Sequence, residues 1–152
     1  SVWLAIQKLQ DDFICIYGDL MFDEEILKKC LEIKSEIGLM VETNTRDETM
    51  KVKIENEKIV AVNKKIDYKT ADGNFVGMAK FSKNVLKILF NEIDYLITEN
   101  IDGYYTLGIE NLIKKNVEVG YQVTNGLSWM DIDEEREFEE SQKIFRDGGD
   151  LS

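Results

Sequence analysis

Phe13-Ile14-Cys15-Ile16-Tyr17 is a run of five apolar or aromatic residues set between Asp11-Asp12 and Gly18-Asp19. Such a run predicts a strand covered on both faces, and strands of that kind belong to parallel α/β sheets. Ligands collect at the carboxyl ends of those strands. Asp19 falls at that end, and Gly18 lets the backbone turn and come close to whatever binds there. A carboxylate so placed is an anchor for a hard divalent cation. The same Gly-Asp pair would also serve as a plain turn ahead of a helix.

The rest of the chain reads as alternating elements. Residues 1–9 carry apolar residues at helical spacing, with no cap ahead of them. Asp23-Glu24-Glu25 opens a helix whose acids suit its positive end. Its apolar stripe is Ile26, Leu27, Cys30, Leu31 and Ile33 or Ile37, and Gly38 is placed to end it. Residues 38–43 form a short strand, and 44–49 a polar loop. From about 50 to 65 the residues alternate around a polar turn at 55–57, which predicts an antiparallel hairpin inserted at a sheet edge. Residues 75–81 form a strand in which Phe75, Gly77, Ala79 and Phe81 share a face. Gly77 weakens that strand unless something approaches its backbone, either a bound molecule or a closely packed helix. Ser82 is placed to cap a helix to about Ile93, followed by a loop over 94–103. Tyr104-Tyr105 leads into a helix to Lys115, and 117–123 is a strand by strict alternation. In Trp129-Met130-Asp131-Ile132-Asp133, an extended backbone points both aspartates one way, while Asp133 also fits as the cap of a helix over 134–145.

Composition narrows the chemistry. A chain of 152 residues with a net charge of −11 is a poor match for nucleic acid or an anionic membrane surface. A bound Mg²⁺ would still admit a phosphate-bearing substrate. No apolar run reaches bilayer length and no leader pattern is present. Cys15 and Cys30 fall on a strand and on an apolar helix face, so free buried thiols and a cytoplasmic location are expected. The absence of histidine removes Ser-His and Cys-His schemes and histidine-ligated zinc. Carboxylates, lysines, tyrosines and a metal remain. Asp19 at one strand end, with Asp131 and Asp133 on a late segment that could lie beside it, suits Mg²⁺-dependent phosphoryl or nucleotidyl transfer. That chemistry depends on positioning and charge neutralisation more than on protein nucleophiles.

The order of these features resembles the C-terminal two thirds of the nucleotidyltransferase family with the GT-A-like fold. Its branch of phosphocholine and 2-aminoethylphosphonate cytidylyltransferases is the most similar. The carriers are Tyr17-Gly18-Asp19, Met50-Lys51-Val52 opening a hairpin that closes on Asn63-Lys64, and Phe75-Val76-Gly77-Met78 with Lys80-Phe81-Ser82. Tyr104-Tyr105 and Trp129-Met130-Asp131-Ile132-Asp133 complete the set. The last resembles the family's Trp-x-Glu-Ile-Asp block, with Asp131 in place of the glutamate.

The resemblance implies an α/β, three-layer fold with a mixed, mostly parallel sheet of Rossmann-like type, a single domain over 1–146 and a tail at 147–152. It implies transfer from CTP to a phospho-amine such as phosphocholine, with pyrophosphate released. A sugar 1-phosphate acceptor is the variant, and a non-catalytic half-domain completed by a partner chain is the alternative. Asp19 and Asp133 would hold the Mg²⁺, and Lys64 would sit near phosphate. Gly77 would admit substrate, while Tyr104, Tyr105, Trp129 and Asp131 would border the acceptor pocket, aromatic faces being attractive to a quaternary ammonium. The family's Gly-rich nucleotide loop and its Pro-Lys do not occur here. The expectation is therefore an N-terminally incomplete domain, inactive alone and prone to self-association through an open sheet edge.

Overall fold

The computed structural model describes residues 2–101, 105–132, 139–140 and 142–145. In chain order the elements are α1 (Val2–Ile6), β1 (Phe13–Ile16), β2 (Leu20–Phe22), α2 (Glu24–Glu32), β3 (Ile37–Glu42), β4 (Lys51–Glu55), β5 (Lys58–Asn63) and β6 (Gly73–Phe81). A 3₁₀ turn (Lys83–Val85) then leads into α3 (Leu86–Thr98), α4 (Tyr105–Lys114), β7 (Val119–Val123) and β8 (Trp129–Asp131). The main sheet runs β5-β4-β6-β3-β7, with β1 on the same side of β6 as β4, and β2 and β8 form a separate two-stranded ribbon.

The strand buried on both faces is β3, where residues 37–41 are all buried. The same had been expected of residues 13–17. β1 instead pairs antiparallel with β6 alone, among the described residues, and Ile16 is 37% exposed. A strand with one hydrogen-bonded neighbour cannot be covered as a central strand is, whatever its hydrophobicity. The class is the mixed α/β one expected, and its parallel ladder in this chain is β3 with β7, the remaining described pairings being antiparallel.

Helices cover both faces, which makes three layers. On one side Leu39, Val41, Phe75, Ala79 and Phe81 pack with Leu89 and Ile93 of α3 and Ile109 and Leu112 of α4. On the other, Met40, Val76 and Met78 pack with Ile26 and Cys30 of α2, Ile33 and Leu20. This alternation is the period of two that β3 and β6 show in sequence.

Several boundaries differ from the expected ones for local reasons. α2 ends at Glu32, where Ile33 caps it through its N–H to the Cys30 carbonyl; its buried residues are Ile26 and Cys30, while Leu31 is 55% exposed and falls outside the stripe. Gly38 is a strand residue, not a helix terminator. A Cβ there would stand 2.5 Å from Ile33 Cγ2, so its small size seats α2 on β3. Ser82 makes no side-chain cap and donates instead to the Glu36 carboxylate, while Asp12 Oδ1 accepts the Lys83 N–H at 2.8 Å. α3 continues to Thr98, through part of the expected loop. The hairpin over 51–63 forms as expected. Its turn residues Asn56 and Glu57 both have positive φ, 48° and 61°, the geometry that matches the twist of paired strands.

Candidate functional site

Tyr17, at the end of β1, donates its N–H to the Gly77 carbonyl (2.9 Å), and its own carbonyl accepts from Leu20 N–H (3.2 Å). Between them Gly18 and Asp19 form an exposed turn. Nothing lies within 4 Å of a Cβ built on Gly18, so its smallness keeps the surface beside Asp19 open without being required by the turn.

The chain then enters β2, whose antiparallel partner lies more than a hundred residues away. Leu20 faces Asp131, Met21 faces Met130 and Phe22 faces Trp129. The ladder is prolonged at both ends, by Asp23 N–H to the Ser128 carbonyl and by Ile132 N–H to the Asp19 carbonyl, each 2.9 Å. The two segments singled out in the sequence thus meet, with Asp19 beside Asp131 and Ile132. Asp133 and Tyr104 lie outside the described residues.

The ribbon turns one face to the sheet. Leu20 is buried in the second core cluster, and Phe22 and Trp129 pack against it. Asp131, two residues after Trp129, is on the same side of β8 but exposed. The Trp129 indole Nε1 donates to Glu42 Oε2 at 3.3 Å.

Glu42 ends β3, and sequence reasoning missed it. Its Oε2 also accepts from Thr124 Oγ1 (2.8 Å), and its Oε1 accepts from Asn44 N–H (3.1 Å) and Thr43 Oγ1 (3.4 Å). Burial pushes this carboxyl up, but donors from Asn44, Thr124, Trp129 and Thr43 together hold it below its ordinary value. A lone glutamate at a strand end has no signature. Only its place after a fully apolar strand could have marked it.

Two further residues finish this edge. Asn74, almost fully buried, accepts from Arg46 N–H (3.2 Å) and Thr49 Oγ1 (2.6 Å) and donates to the Asn44 carbonyl. Lys51 Nζ, also buried, donates to the carbonyls of Asp47 and Thr49. Together they fasten the 44–49 loop over the end of the sheet. Lys64 is exposed just after Asn63, which faces Lys51, so it stands at the same end of the sheet, in the turn that follows the outermost strand.

Two expected pocket residues serve the core instead. Gly77 has φ +87°, and what approaches its backbone is the chain's own Tyr17, whose Cδ2 would lie 2.4 Å from an added Cβ. Tyr105 sits edge-on to Tyr17 (6.1 Å), Phe75 (6.4 Å) and Phe81 (6.1 Å). Its hydroxyl is buried beside Cys15 with no hydrogen bond of good geometry among the described residues, and burial holds its pKa well above the ordinary tyrosine value. Tyr105 is thus a packing residue. The thiols fit the same picture. Cys30 is buried, which pushes it up to about 11, and half-buried Cys15 is raised for the same reason.

Among the described residues no group of three or more acidic or cysteine side chains is gathered as a metal cage. The donor chemistry at Asp19 fits Mg²⁺, which takes one or two carboxylates and leaves its other positions to water and phosphate.

No family model matches the sequence, and no curated protein matches it either. Solved structures do. The chain superposes on the inositol-1-phosphate CTP transferase from T. maritima with a TM-score of 0.72 at 19% identity, over 95% of this chain and 60% of that one. The fold is that of the nucleotidyltransferases. The Bacillus anthracis protein assigned as a glucose-1-phosphate thymidylyltransferase gives 0.68 at 17% identity, over 96% of this chain and 59% of that one. The CTP:phosphocholine cytidylyltransferase from Streptococcus pneumoniae gives 0.65 at 14%, over 95% and 61%. The chain therefore spans about 60% of the length of the nucleotidyltransferases that share its fold. Among the described residues no helix is long and apolar enough to cross a membrane.

Proposed function

We propose that residues 1–146 carry the metal and acceptor side of a nucleotidyltransferase that moves a cytidylyl group from CTP to a phospho-amine such as phosphocholine. The acceptor's phosphate oxygen attacks the α-phosphorus of CTP, a new P–O–P link forms, and the bond to pyrophosphate breaks. The observation that carries this reading is the Ile132 N–H bond to the Asp19 carbonyl. With the β2–β8 ladder, it brings two acid-bearing segments together at the end of a sheet.

Asp19, with Asp133, would hold Mg²⁺, which when bound neutralises phosphate charge. Trp129 and Asp131 share the face of β8 turned to the sheet and would border the acceptor's cationic head, which suits an aromatic face beside a carboxylate. Lys64 would take a phosphate oxygen from the turn after the outer strand. Two of the fold's relatives bear names that specify inositol 1-phosphate and glucose 1-phosphate, which supports a second reading in which the acceptor is a polyol or sugar phosphate.

The test is pyrophosphate release with Mg²⁺ and CTP, run on this chain and on the longest open reading frame containing it. Phosphocholine, 2-aminoethylphosphonate, inositol 1-phosphate and glucose 1-phosphate are offered in parallel. Turnover with the amines, lost in Asp19→Asn and in Asp133→Asn, is the expected result. Turnover with the polyol phosphates alone would transfer the assignment to the second reading. Silence with every acceptor, with CTP and with each of the other three nucleoside triphosphates in its place, would sink the transferase assignment and leave a non-catalytic binding module.

A further inference from the structure

Glu42 has four donors on its two oxygens, which come from both sides of the candidate site. Thr43 and Asn44 belong to the loop that follows β3. Thr124 follows β7, and its own N–H bonds to the Val41 carbonyl at 3.0 Å. Trp129 belongs to the ribbon that carries Asp131. Thr124 is fully buried and Trp129 half-buried, so the carboxylate is the polar joint between the rigid sheet and the ribbon. An indole N–H is a donor only, and a carboxylate acceptor therefore selects one edge of the ring and sets its plane.

We infer that Glu42 is a positioning residue that fixes the Trp129 indole beside Asp131, and so makes the acceptor subsite selective for a cationic head over a neutral polyol. This rests on the assignment of Trp129 and Asp131 to the acceptor subsite. Cation attraction to a ring depends on presenting the face, and a ring free to rotate loses most of the advantage. Glu42 acts through Trp129 and does not touch the acceptor. Glutamine in its place keeps the volume but turns an amide N–H₂ toward a site built from donors, so it cannot accept from all four.

Three measurements on the full chain separate the parts. In a Trp3→Phe background, the emission and near-ultraviolet circular dichroism of Trp129 report the ring without any ligand. Glu42→Gln should shift the emission to longer wavelength and flatten the dichroism. Phosphocholine and inositol 1-phosphate are then titrated by calorimetry. Glu42→Gln should weaken phosphocholine about tenfold, within the range of a desolvated cation–ring contact, and leave inositol 1-phosphate unchanged. Finally, Glu42→Gln in a Trp129→Phe background should cost no further selectivity, because residues that act through one another do not add. An unchanged Trp129 spectrum in Glu42→Gln overturns the proposal, as does a full additional loss of selectivity in the double variant. A changed spectrum with no phosphocholine preference in the parent protein overturns the acceptor assignment and the claimed selectivity together, while the ring-positioning step stands.

Discussion

Replacing Gly77 by alanine tests whether the turn that carries Asp19 is held by the core. Gly77 adopts φ +87°, and its added Cβ would stand 2.4 Å from Tyr17 Cδ2 and 2.9 Å from Cγ. The backbone part costs about 1–2 kcal/mol, the penalty of placing a Cβ in left-handed geometry. The steric part costs about 1–3 kcal/mol, because a packed core absorbs an extra methyl only by shifting side chains. Tyr17 has little room to yield, with Phe75 edge-on at 5.8 Å, Tyr105 at 6.1 Å and its own N–H bonded to the Gly77 carbonyl. The sum of about 3 kcal/mol is a large share of a typical domain's stability. It lowers the melting temperature by roughly 6–12 °C in a chain of this size. The assay is thermal unfolding followed by circular dichroism, on Gly77→Ala, Tyr17→Ala and the pair. In the Tyr17→Ala background the alanine should cost only its backbone part. A Gly77→Ala protein within about 0.5 kcal/mol of the parent, the scatter of an ordinary surface change, would refute the packing account. If that stable variant had also lost substrate binding, the glycine would be open to substrate after all.

Three other outcomes follow from the same geometry. Asp19→Asn should leave the unfolding midpoint unchanged because the side chain is exposed, yet reduce pyrophosphate release about a thousandfold, several kcal/mol of lost charge stabilisation. Equal losses in both would mean that Asp19 is structural. Glu42 has a folded pKa below its ordinary 4.5, so its contacts stabilise above that value and are lost as pH falls through the folded one. Urea midpoints of the parent and Glu42→Gln should therefore differ most above the ordinary value of 4.5 and converge as pH falls through the folded one, and a constant gap would contradict this. Glu57→Gly should raise the unfolding free energy by about 0.5–1 kcal/mol, read as a higher urea midpoint, since Glu57 sits at φ 61° in a two-residue turn for which Asn-Gly is the preferred pair. A loss of stability there would show that the Glu57 side chain contributes more than its backbone costs.

What the sequence made legible was whatever repeats at short range. The 51–63 hairpin follows from alternation, α2 from its acids and apolar stripe, and the faces of β6 from Phe75, Ala79 and Phe81. What it hid was pairing. Residues 13–17 and 38–41 are equally apolar, and nothing local reveals that the second has neighbours on both sides and the first on one. Gly38 and Gly77 were each noticeable, but the side chains that claim the space above them, Ile33 and Tyr17, are set by packing. The acid-bearing segments at 19 and 131 were legible as a pair because both end in aspartate after apolar residues. Glu42 was not, since its partners Thr124 and Trp129 lie more than eighty residues away.

β6 runs opposite to β1 and β3, so its beginning, and not its end, lies at the edge where those strands finish. That explains why the edge is lined by residues of such different sequence character. Glu42 closes β3, while Asn74 opens β6 directly across from it in register. Each side chain binds the loop after β3, Glu42 through Asn44 N–H and Asn74 through the Asn44 carbonyl. The loop is thereby fastened from two strands at one residue. Glu42 uses its remaining oxygen to reach the ribbon that bears Asp131, and the ribbon in turn holds the Asp19 carbonyl through Ile132. The exposed carboxylates are thus linked to buried polar groups through a short series of main-chain and side-chain bonds. Buried polar groups keep their partners because losing one leaves the other unsatisfied, at about 1–3 kcal/mol each. An exposed acid on a free loop would have no such restraint, and it is this restraint that holds the Asp19 turn in a fixed place beside the ribbon.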